Sequence, residues 1–177
     1  MAAWDPENVI SHGTDFRLVH NSFVTLFWST AVLDATTTDL RSLGYDVIQI
    51  DTAGWASAAD MHADLAASLN FPDYYGRNLA ALNDCIGDVA AARYGLRSST
   101  KGLVLVLVHF ERFAATDAQA ANAVLDTFAR QARVAALLGN RMMCLVQTTD
   151  PRLTIDPVGA TPVVWNDAEW SDASRGL

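Results

Sequence analysis

The sequence has few cysteines and no long apolar run. Its two cysteines, Cys85 and Cys144, are too few for a disulfide framework, and both lie in apolar stretches where reduced thiols are usually buried. The stretch from Met1 to Glu7 lacks the basic and apolar residues of an export signal. No segment approaches the roughly 18 apolar residues of a membrane span. We therefore expect a cytoplasmic protein that does not bind a membrane.

Signals of catalysis are also missing. The sequence contains neither a glycine-rich dinucleotide fingerprint nor a P-loop, and its only lysine is Lys101. The histidines do not pair with one another or with the cysteines at metal-ligand spacing, and no Gly-x-Ser-x-Gly elbow is present. We expect no catalytic residue, no metal and no cofactor. One alternative stays open, because His109 and Glu111 follow a strand at its carboxyl end, where open α/β sheets bind ligands.

The sequence does have enough apolar residues for one globular domain, and it has an excess of acid. Of its 177 residues 51% are hydrophobic, and 20 Asp and Glu stand against 12 Lys and Arg, a formal net charge of −8. This charge repels a phosphate backbone, so we do not expect direct binding of nucleic acid. The same charge would attract and steer a basic protein partner.

Apolar runs of strand length alternate with segments of helical period along the chain. The alternation predicts an α/β fold with a mostly parallel sheet of about three to five strands packed by helices. We expect residues 1–20 to form an N-terminal arm, residues 21–170 a single domain and residues 171–177 a C-terminal tail. The predicted strands cover residues 23–29, 45–50, 103–108, 142–147 and 162–165. Of these, 103–108 is expected to be central and 162–165 to lie at an edge.

The segment from Phe71 to Val89 predicts a helix with two different faces. Pro72 breaks the chain, and Asp73 is placed to cap a helix that continues to about Ala92. At about 100° per residue, one stripe of this helix is apolar and faces the core: Tyr75, Leu79, Leu82, Ile86 and Val89. The opposite stripe is small and charged: Asp73, Arg77, Ala80, Asp84, Gly87, Asp88 and Ala91.

Helix stability alone does not favour this opposite stripe. Like charges four residues apart, as at Asp84 and Asp88, cost about a few tenths of a kcal/mol, and a glycine inside a helix, such as Gly87, costs about 1 kcal/mol. The stripe is either an acidic platform that a basic cleft covers or an ordinary solvated face of a helix that ends near Gly87. The pattern leaves both interpretations open.

The run Pro-Asp-Tyr-Tyr-Gly-Arg-Asn-Leu-Ala-Ala-Leu-Asn-Asp-Cys-Ile, residues 72–86, resembles a known signature. It is similar to Pro-Glu-Tyr-Tyr-Gly-x-Asn-x-Asp-Ala-Leu-x-Asp-Cys-Leu of the barstar family, the intracellular inhibitors of the secreted ribonuclease barnase. The resemblance extends more weakly over about residues 45–147. It implies a small α/β protein in which the signature helix and the loop before it plug a ribonuclease active site. Carboxylates of that helix would occupy positions where RNA phosphates bind.

Carried over position by position, the resemblance implies a partner-binding surface made of Tyr74, Gly76, Asn78, Ala80, Asn83, Asp84, Gly87 and Asp88. Tyr74 would be the aromatic contact, Asn78 would lie at the lip of the interface, and Asp84 would be the central acid. The sequence departs from the family pattern where Ala80 replaces a second interface aspartate, Asn83 a tryptophan and Arg130 an acid. Asp88 is a candidate replacement carboxylate on the same face.

These observations favour an intracellular inhibitor of the immunity or antitoxin type, monomeric on its own, that occludes the active site of a basic ribonuclease or related toxin. The three departures make inhibition of barnase itself unexpected. They also favour the alternative, a protein-interaction module on the same scaffold whose partner is not a nuclease. An enzyme that uses His109 and Glu111 is the least supported possibility. The additions before residue 45 and after residue 147 either lengthen the sheet or add a second contact surface.

Overall fold

The computed structural model describes residues 13–20, 22–95 and 100–177. The helices are α1 Thr14–Val19, α2 Thr30–Ser42, α3 Ala58–Ser68, α4 Leu79–Ala90, α5 Phe110–Thr116 and α6 Ala118–Leu137. The strands are β1 Val24–Phe27, β2 Tyr45–Asp51, β3 Gly102–Val108, β4 Met142–Gln147 and β5 Val164–Trp165. Short 3-10 turns cover Thr52–Gly54 and Asp172–Arg175.

The strands form one parallel sheet in the order β2-β3-β4-β1-β5. The predicted α/β class and mostly parallel sheet are confirmed, and so is the edge position of the last strand. β3 is internal, but the middle strand is β4 rather than β3, and every residue of β4 is buried. Both strands are apolar on both faces, so their hydrophobicity could not show which of them lies in the middle of the sheet.

Helices cover both faces of the sheet, because successive strand residues point to opposite sides and are apolar on both. On one face, Val104 of β3 belongs to a buried cluster with Leu33 of α2. On the other face, Leu105 belongs to a second core with Leu82 of α4 and Phe128 of α6. The helix that carries the signature is therefore packed against a rigid sheet and against α6.

The additions outside residues 45–147 lengthen the sheet, which is the first of the two possibilities stated for them above. β1 pairs with β4, and β5 pairs with β1, so both strands extend the sheet beyond β4. No helix in the described ranges combines the length and the apolar content that crossing a bilayer requires.

Helix α1 lies in the segment predicted as an N-terminal arm, of which residues 1–12 fall outside the described residues. Asp15 fastens this helix to the domain. Its carboxylate accepts hydrogen bonds from Lys101 at 2.8 Å, Arg141 at 3.2 Å and the Tyr45 hydroxyl at 2.9 Å. Burial raises the pKa of Asp15, but the hydrogen bonds from Lys101 and Tyr45 outweigh it and hold that pKa below its ordinary value.

The C-terminal addition is fastened by two buried charged side chains. Glu169 is 2% exposed and accepts hydrogen bonds from the backbone N–H groups of Trp28 at 3.2 Å and Ser29 at 2.6 Å. These groups lie at the start of α2, where the helix dipole favours a carboxylate. Arg175 lies 4.4 Å from the centre of the Trp165 ring. The predicted tail, residues 171–177, thus contains a 3-10 turn held by a buried arginine.

Candidate protein-binding site

The loop between α3 and α4 presents one aromatic side chain to solvent. Phe71 and Tyr75 are buried, with their rings edge to face and 4.9 Å apart. The Tyr75 N–H donates to the Pro72 carbonyl at 2.9 Å and closes a turn. Tyr74 is left 82% exposed. A tyrosine on a fixed turn suits a protein partner, because it offers a large contact area at a low cost in side-chain entropy.

A buried hydrogen bond ties this turn to the preceding helix. The hydroxyl of Tyr75 lies 2.5 Å from Nδ1 of His62 in α3. Burial raises the pKa of Tyr75 to about 12 and lowers the pKa of His62, so both groups are uncharged at neutral pH. The sequence carries no signal of this pair, because the two residues belong to different elements and share no period.

Helix α4 begins at Leu79, so the expected start at Asp73 is wrong. Asn78 is the N-cap: its side-chain oxygen accepts from the Ala81 N–H at 2.9 Å, and its amide group donates to the Gly76 carbonyl at 3.2 Å. Arg77 has a φ of 47°, in the left-handed region, which interrupts any helix running from Asp73. The observed role of Gly76 and Asn78 is therefore to fix where the helix starts.

The exposed face of α4 carries Leu79, Ala80 and Asp84. Leu79 was expected in the core, but it is 46% exposed, whereas Tyr75, expected on the same stripe, is buried as predicted and lies in the core with Phe71. Asp84 takes part in no hydrogen bond or ion pair within the described ranges. Its negative charge is therefore available to a partner.

Asn83 and Gly87 lie where α4 packs against α6, at the border of this exposed face. Gln131 of α6 donates a hydrogen bond to Asn83 Oδ1 at 2.9 Å. A Cβ atom on Gly87 would lie 3.4 Å from Gln131 Oε1, an ordinary van der Waals distance, so the contact with α6 does not itself require a glycine. The helix does not end at Gly87 but continues to Ala90.

The charged groups at the site are of both signs. Asp88 is ion-paired with Arg93, with 2.6 Å between Oδ1 and Nη1. Asp84 and Asp88, four residues apart in the sequence, therefore differ in their partners. Of the two, only Asp84 is unpaired in the part of the chain described. On the neighbouring helix α6, the exposed Arg130 pairs through Nε with Asp126 at 3.0 Å. The surface is therefore not a uniform acidic platform.

The alternative site at the carboxyl ends of the strands contains a hydrogen-bonded histidine. His109 has a φ of 57° and precedes helix α5, which forms where the sequence indicated only a loop. Its Nδ1 lies 2.9 Å from Asp51 Oδ1, and the backbone N–H of Ala53 together with His109 lowers the pKa of Asp51. Glu111 accepts a hydrogen bond from the Thr149 hydroxyl at 2.7 Å.

Among the described residues, His109 forms hydrogen bonds only with Asp51 and Gln147. Neither residue is a nucleophile of the serine or cysteine type. Cys85 and Cys144 are unpaired and buried, and burial raises the pKa of the Cys144 thiol far above its usual range. Within residues 13–20, 22–95 and 100–177, no group of three or more His, Cys, Asp or Glu side chains is arranged to hold a metal ion.

An exposed tyrosine, a capped helix start and a free carboxylate thus lie together on the loop and first turns of α4, on an α/β scaffold. The family model described as Barstar (barnase inhibitor) matches residues 45–147, more than half of the chain. The chain belongs to the barstar family, which confirms the resemblance of its signature segment.

A curated relative supports the same family. The chain is similar to the protein named "Putative ribonuclease inhibitor YrdF" of Bacillus subtilis (strain 168), with 51% identity over 39 residues. The match covers 22% of this chain and 43% of the relative, so the chain spans less than half of the length of that relative.

Proposed function

We propose that this chain inhibits a basic ribonuclease or a related toxin by binding over its active site. The observation that carries the proposal is the unpaired carboxylate of Asp84, exposed on a helix next to the exposed ring of Tyr74. Membership of a family described as barnase inhibitors, and similarity to a protein named as a ribonuclease inhibitor, support this class of partner.

Inhibition would work by occupying the place of the substrate. The Asp84 carboxylate would lie where the ribonuclease binds an RNA phosphate, and Tyr74 would pack against the rim of its cleft. Because α4 is packed on the sheet and the Tyr75–His62 bond holds the loop, little conformational entropy is lost on binding. The net charge of −8 would speed the encounter with a basic partner.

The contact surface we propose has a centre and a border. Its centre is the exposed loop and first turns of α4, with Tyr74, Gly76, Asn78, Ala80 and Asp84. Its border consists of Asn83 and Gly87 beside α6 and of Asp88 near the end of α4. The chain would act as a cytoplasmic monomer, without catalysis, metal or cofactor, and without touching nucleic acid or a membrane.

A ribonuclease inhibition assay tests the proposal. The panel contains ribonucleases encoded beside this gene, barnase, and ribonuclease A as a basic nuclease of unrelated fold. We expect the native chain to inhibit a basic bacterial ribonuclease at a one-to-one ratio. Asp84→Asn should weaken the inhibition by roughly thirtyfold to a few thousandfold, because a desolvated charge contact is worth about 2–5 kcal/mol.

The matched control is Asp34→Asn, which removes the same charge from an exposed position on α2, on the other face of the sheet. It should leave the inhibition unchanged. A chain that inhibits no ribonuclease of the panel, or one for which both variants behave like the native chain, would contradict the proposal.

A second candidate is a partner that is not a nuclease. The mixed charge of the surface favours it, because the Asp88 carboxylate is shared with Arg93 and an arginine stands at position 130. In that case the chain would bind a protein without ribonuclease activity, and the binding would still depend on Tyr74 and Asp84.

A further inference from the structure

Arg130 is oriented by an ion pair that leaves the end of its guanidinium free. Its Nε lies 3.0 Å from Asp126 Oδ2, one helical turn earlier on α6. Its two terminal nitrogens donate no hydrogen bond to another described residue. An arginine held in this way presents a planar pair of N–H₂ groups, the geometry that binds a carboxylate through two parallel hydrogen bonds.

Asp126 is itself held by the C-terminal addition. Its other oxygen, Oδ1, accepts a hydrogen bond from the Gly159 N–H at 2.9 Å. Arg133, also on α6, donates from Nη2 to the Gly159 carbonyl at 2.5 Å. One carboxylate therefore connects Gly159 to Arg130, and Gly159 is fixed on both its N–H and its carbonyl side.

The segment that supplies Gly159 is a tight turn with an unusual backbone. Val158 and Thr161 exchange two backbone hydrogen bonds, at 2.9 and 3.0 Å. Gly159 and Ala160 between them have φ angles of 55° and 61°, as a type I′ turn requires. The left-handed conformation is unfavourable for Ala160, so the surroundings must hold it.

The turn is pressed against α6. Val158 is fully buried, and a Cβ atom on Gly159 would lie 3.0 Å from the Cβ of Ala129. Residues 158–161 lie outside the segment that the family model matches. The chain thus adds to the family core a strained turn whose polar contacts include the carboxylate that orients Arg130.

Arg130 stands between this turn and the proposed contact surface. Gln131 faces α4 through its bond to Asn83, and Asp126 faces the turn through its bond to Gly159. At about 100° per residue, Arg130 falls between these two directions, on the outward ridge of α6. The free carboxylate of Asp84 and the free end of Arg130 therefore belong to neighbouring helices on one side of the molecule.

We propose that the turn Val158–Thr161 and Asp126 position Arg130 to bind an acidic side chain of the partner. The partner would then carry a carboxylate beside the basic groups that receive Asp84, and two contacts of opposite sign would fix its register and exclude purely basic clefts. This inference rests on the proposed function, because it concerns the same interface.

The test measures dissociation constants at moderate salt with the ribonuclease of the panel that the native chain inhibits through Asp84. We expect Arg130→Gln to raise Kd about tenfold or more, because the charge and the paired N–H groups are both lost. Arg130→Lys should restore only part of the affinity, since an ammonium is a point charge. Arg41→Gln, the same change on α2 across the sheet, should leave Kd unchanged.

A second measurement needs no partner and tests the positioning. In arginine-selective ¹⁵N relaxation, the Nε–H bond vector of Arg130 should be ordered in the native chain, because the ion pair restricts its side chain. Asp126→Asn removes the charge that pairs with Arg130, and Gly159→Ala displaces the turn from Ala129. Both changes should make this bond vector more mobile and should raise Kd severalfold.

The outcomes separate this inference from the proposed function. If Asp84→Asn weakens binding and Arg130→Gln does not, the inference is wrong and the function stands. If Arg130→Gln tightens binding, the partner presents a basic group there and the inference is again wrong. A mobile Arg130 Nε–H bond vector in the native chain would contradict the role of the turn. If no ribonuclease of the panel is inhibited, the inference falls together with the function.

Discussion

The hydroxyl of Tyr75 and Nδ1 of His62 lie 2.5 Å apart in the interior, while Tyr74, the adjacent residue, is almost fully exposed. Neighbouring side chains in this turn point in opposite directions, so anchoring Tyr75 in the interior directs Tyr74 to solvent. The buried bond thus determines where the exposed tyrosine of the proposed interface lies.

Acid is expected to destabilise the protein through His62. Burial lowers the pKa of His62 in the folded state below its ordinary value of 6.5, which the unfolded chain keeps. Below pH 6.5 the unfolded state therefore binds more protons, and the free energy of unfolding falls as the pH drops. For this one group the slope is at most about 1.4 kcal/mol per pH unit. Urea unfolding between pH 7.5 and 5 measures it.

His62→Gln is the control, because glutamine keeps a polar partner for Tyr75 and does not titrate. Its free energy of unfolding should depend less on pH in this window. An unchanged slope would assign the effect to another group.

Replacing Asn78 should loosen the start of α4. Asn78→Ala removes the acceptor for the Ala81 N–H and should cost about 1 kcal/mol of unfolding free energy, whereas Asn78→Ser, which can still cap, should cost less. Denaturant unfolding and hydrogen exchange of Leu79 to Leu82 measure both effects. Equal losses in the two variants would point instead to the contact with the Gly76 carbonyl.

Freeing Asp88 should speed association with a basic ribonuclease. Arg93→Gln leaves the Asp88 carboxylate unpaired near the contact surface, so the association rate should rise severalfold at low salt and depend more steeply on salt. Stability should change by less than about 1 kcal/mol, because the pair is exposed. Stopped-flow measurements compare the association rate of Arg93→Gln with that of Arg41→Gln. Equal rates for the two variants would mean that the association rate depends only on the net charge.

Glu169 should be required for stability but not for binding. Glu169→Ala leaves two backbone N–H groups at the start of α2 without their carboxylate, which should lower the free energy of unfolding by about 1–3 kcal/mol. Kd for the inhibited ribonuclease should be unchanged at temperatures where the variant is folded, and a raised Kd would show that the C-terminal addition supports the interface. Asp167→Ala, at an exposed position nearby, is the control for thermal unfolding.

Much of the fold follows from local patterns. The apolar runs of β3 and β4 and the signature at residues 72–86 are visible in the chain, and they predicted the class, the strands and the family. The start of α4 was not visible, because it depends on the left-handed backbone of Arg77 rather than on the capping preference of Asp73. The partner of Asp88 was not visible either, because Arg93 reaches it only after the chain turns at Ala92, whose φ is 56°.

The sequence by itself determined the strands and the family, because hydrophobic period and a contiguous motif are properties of neighbouring residues. The tertiary structure alone decided that β4 is the middle strand, that Asn83 and Gly87 face α6, and that Asp84 remains unpaired while Asp88 does not. It also placed Gly159 against Asp126, far apart in the chain. Such contacts join residues that no local period relates, so only the packing of the sheet and its helices brings them together.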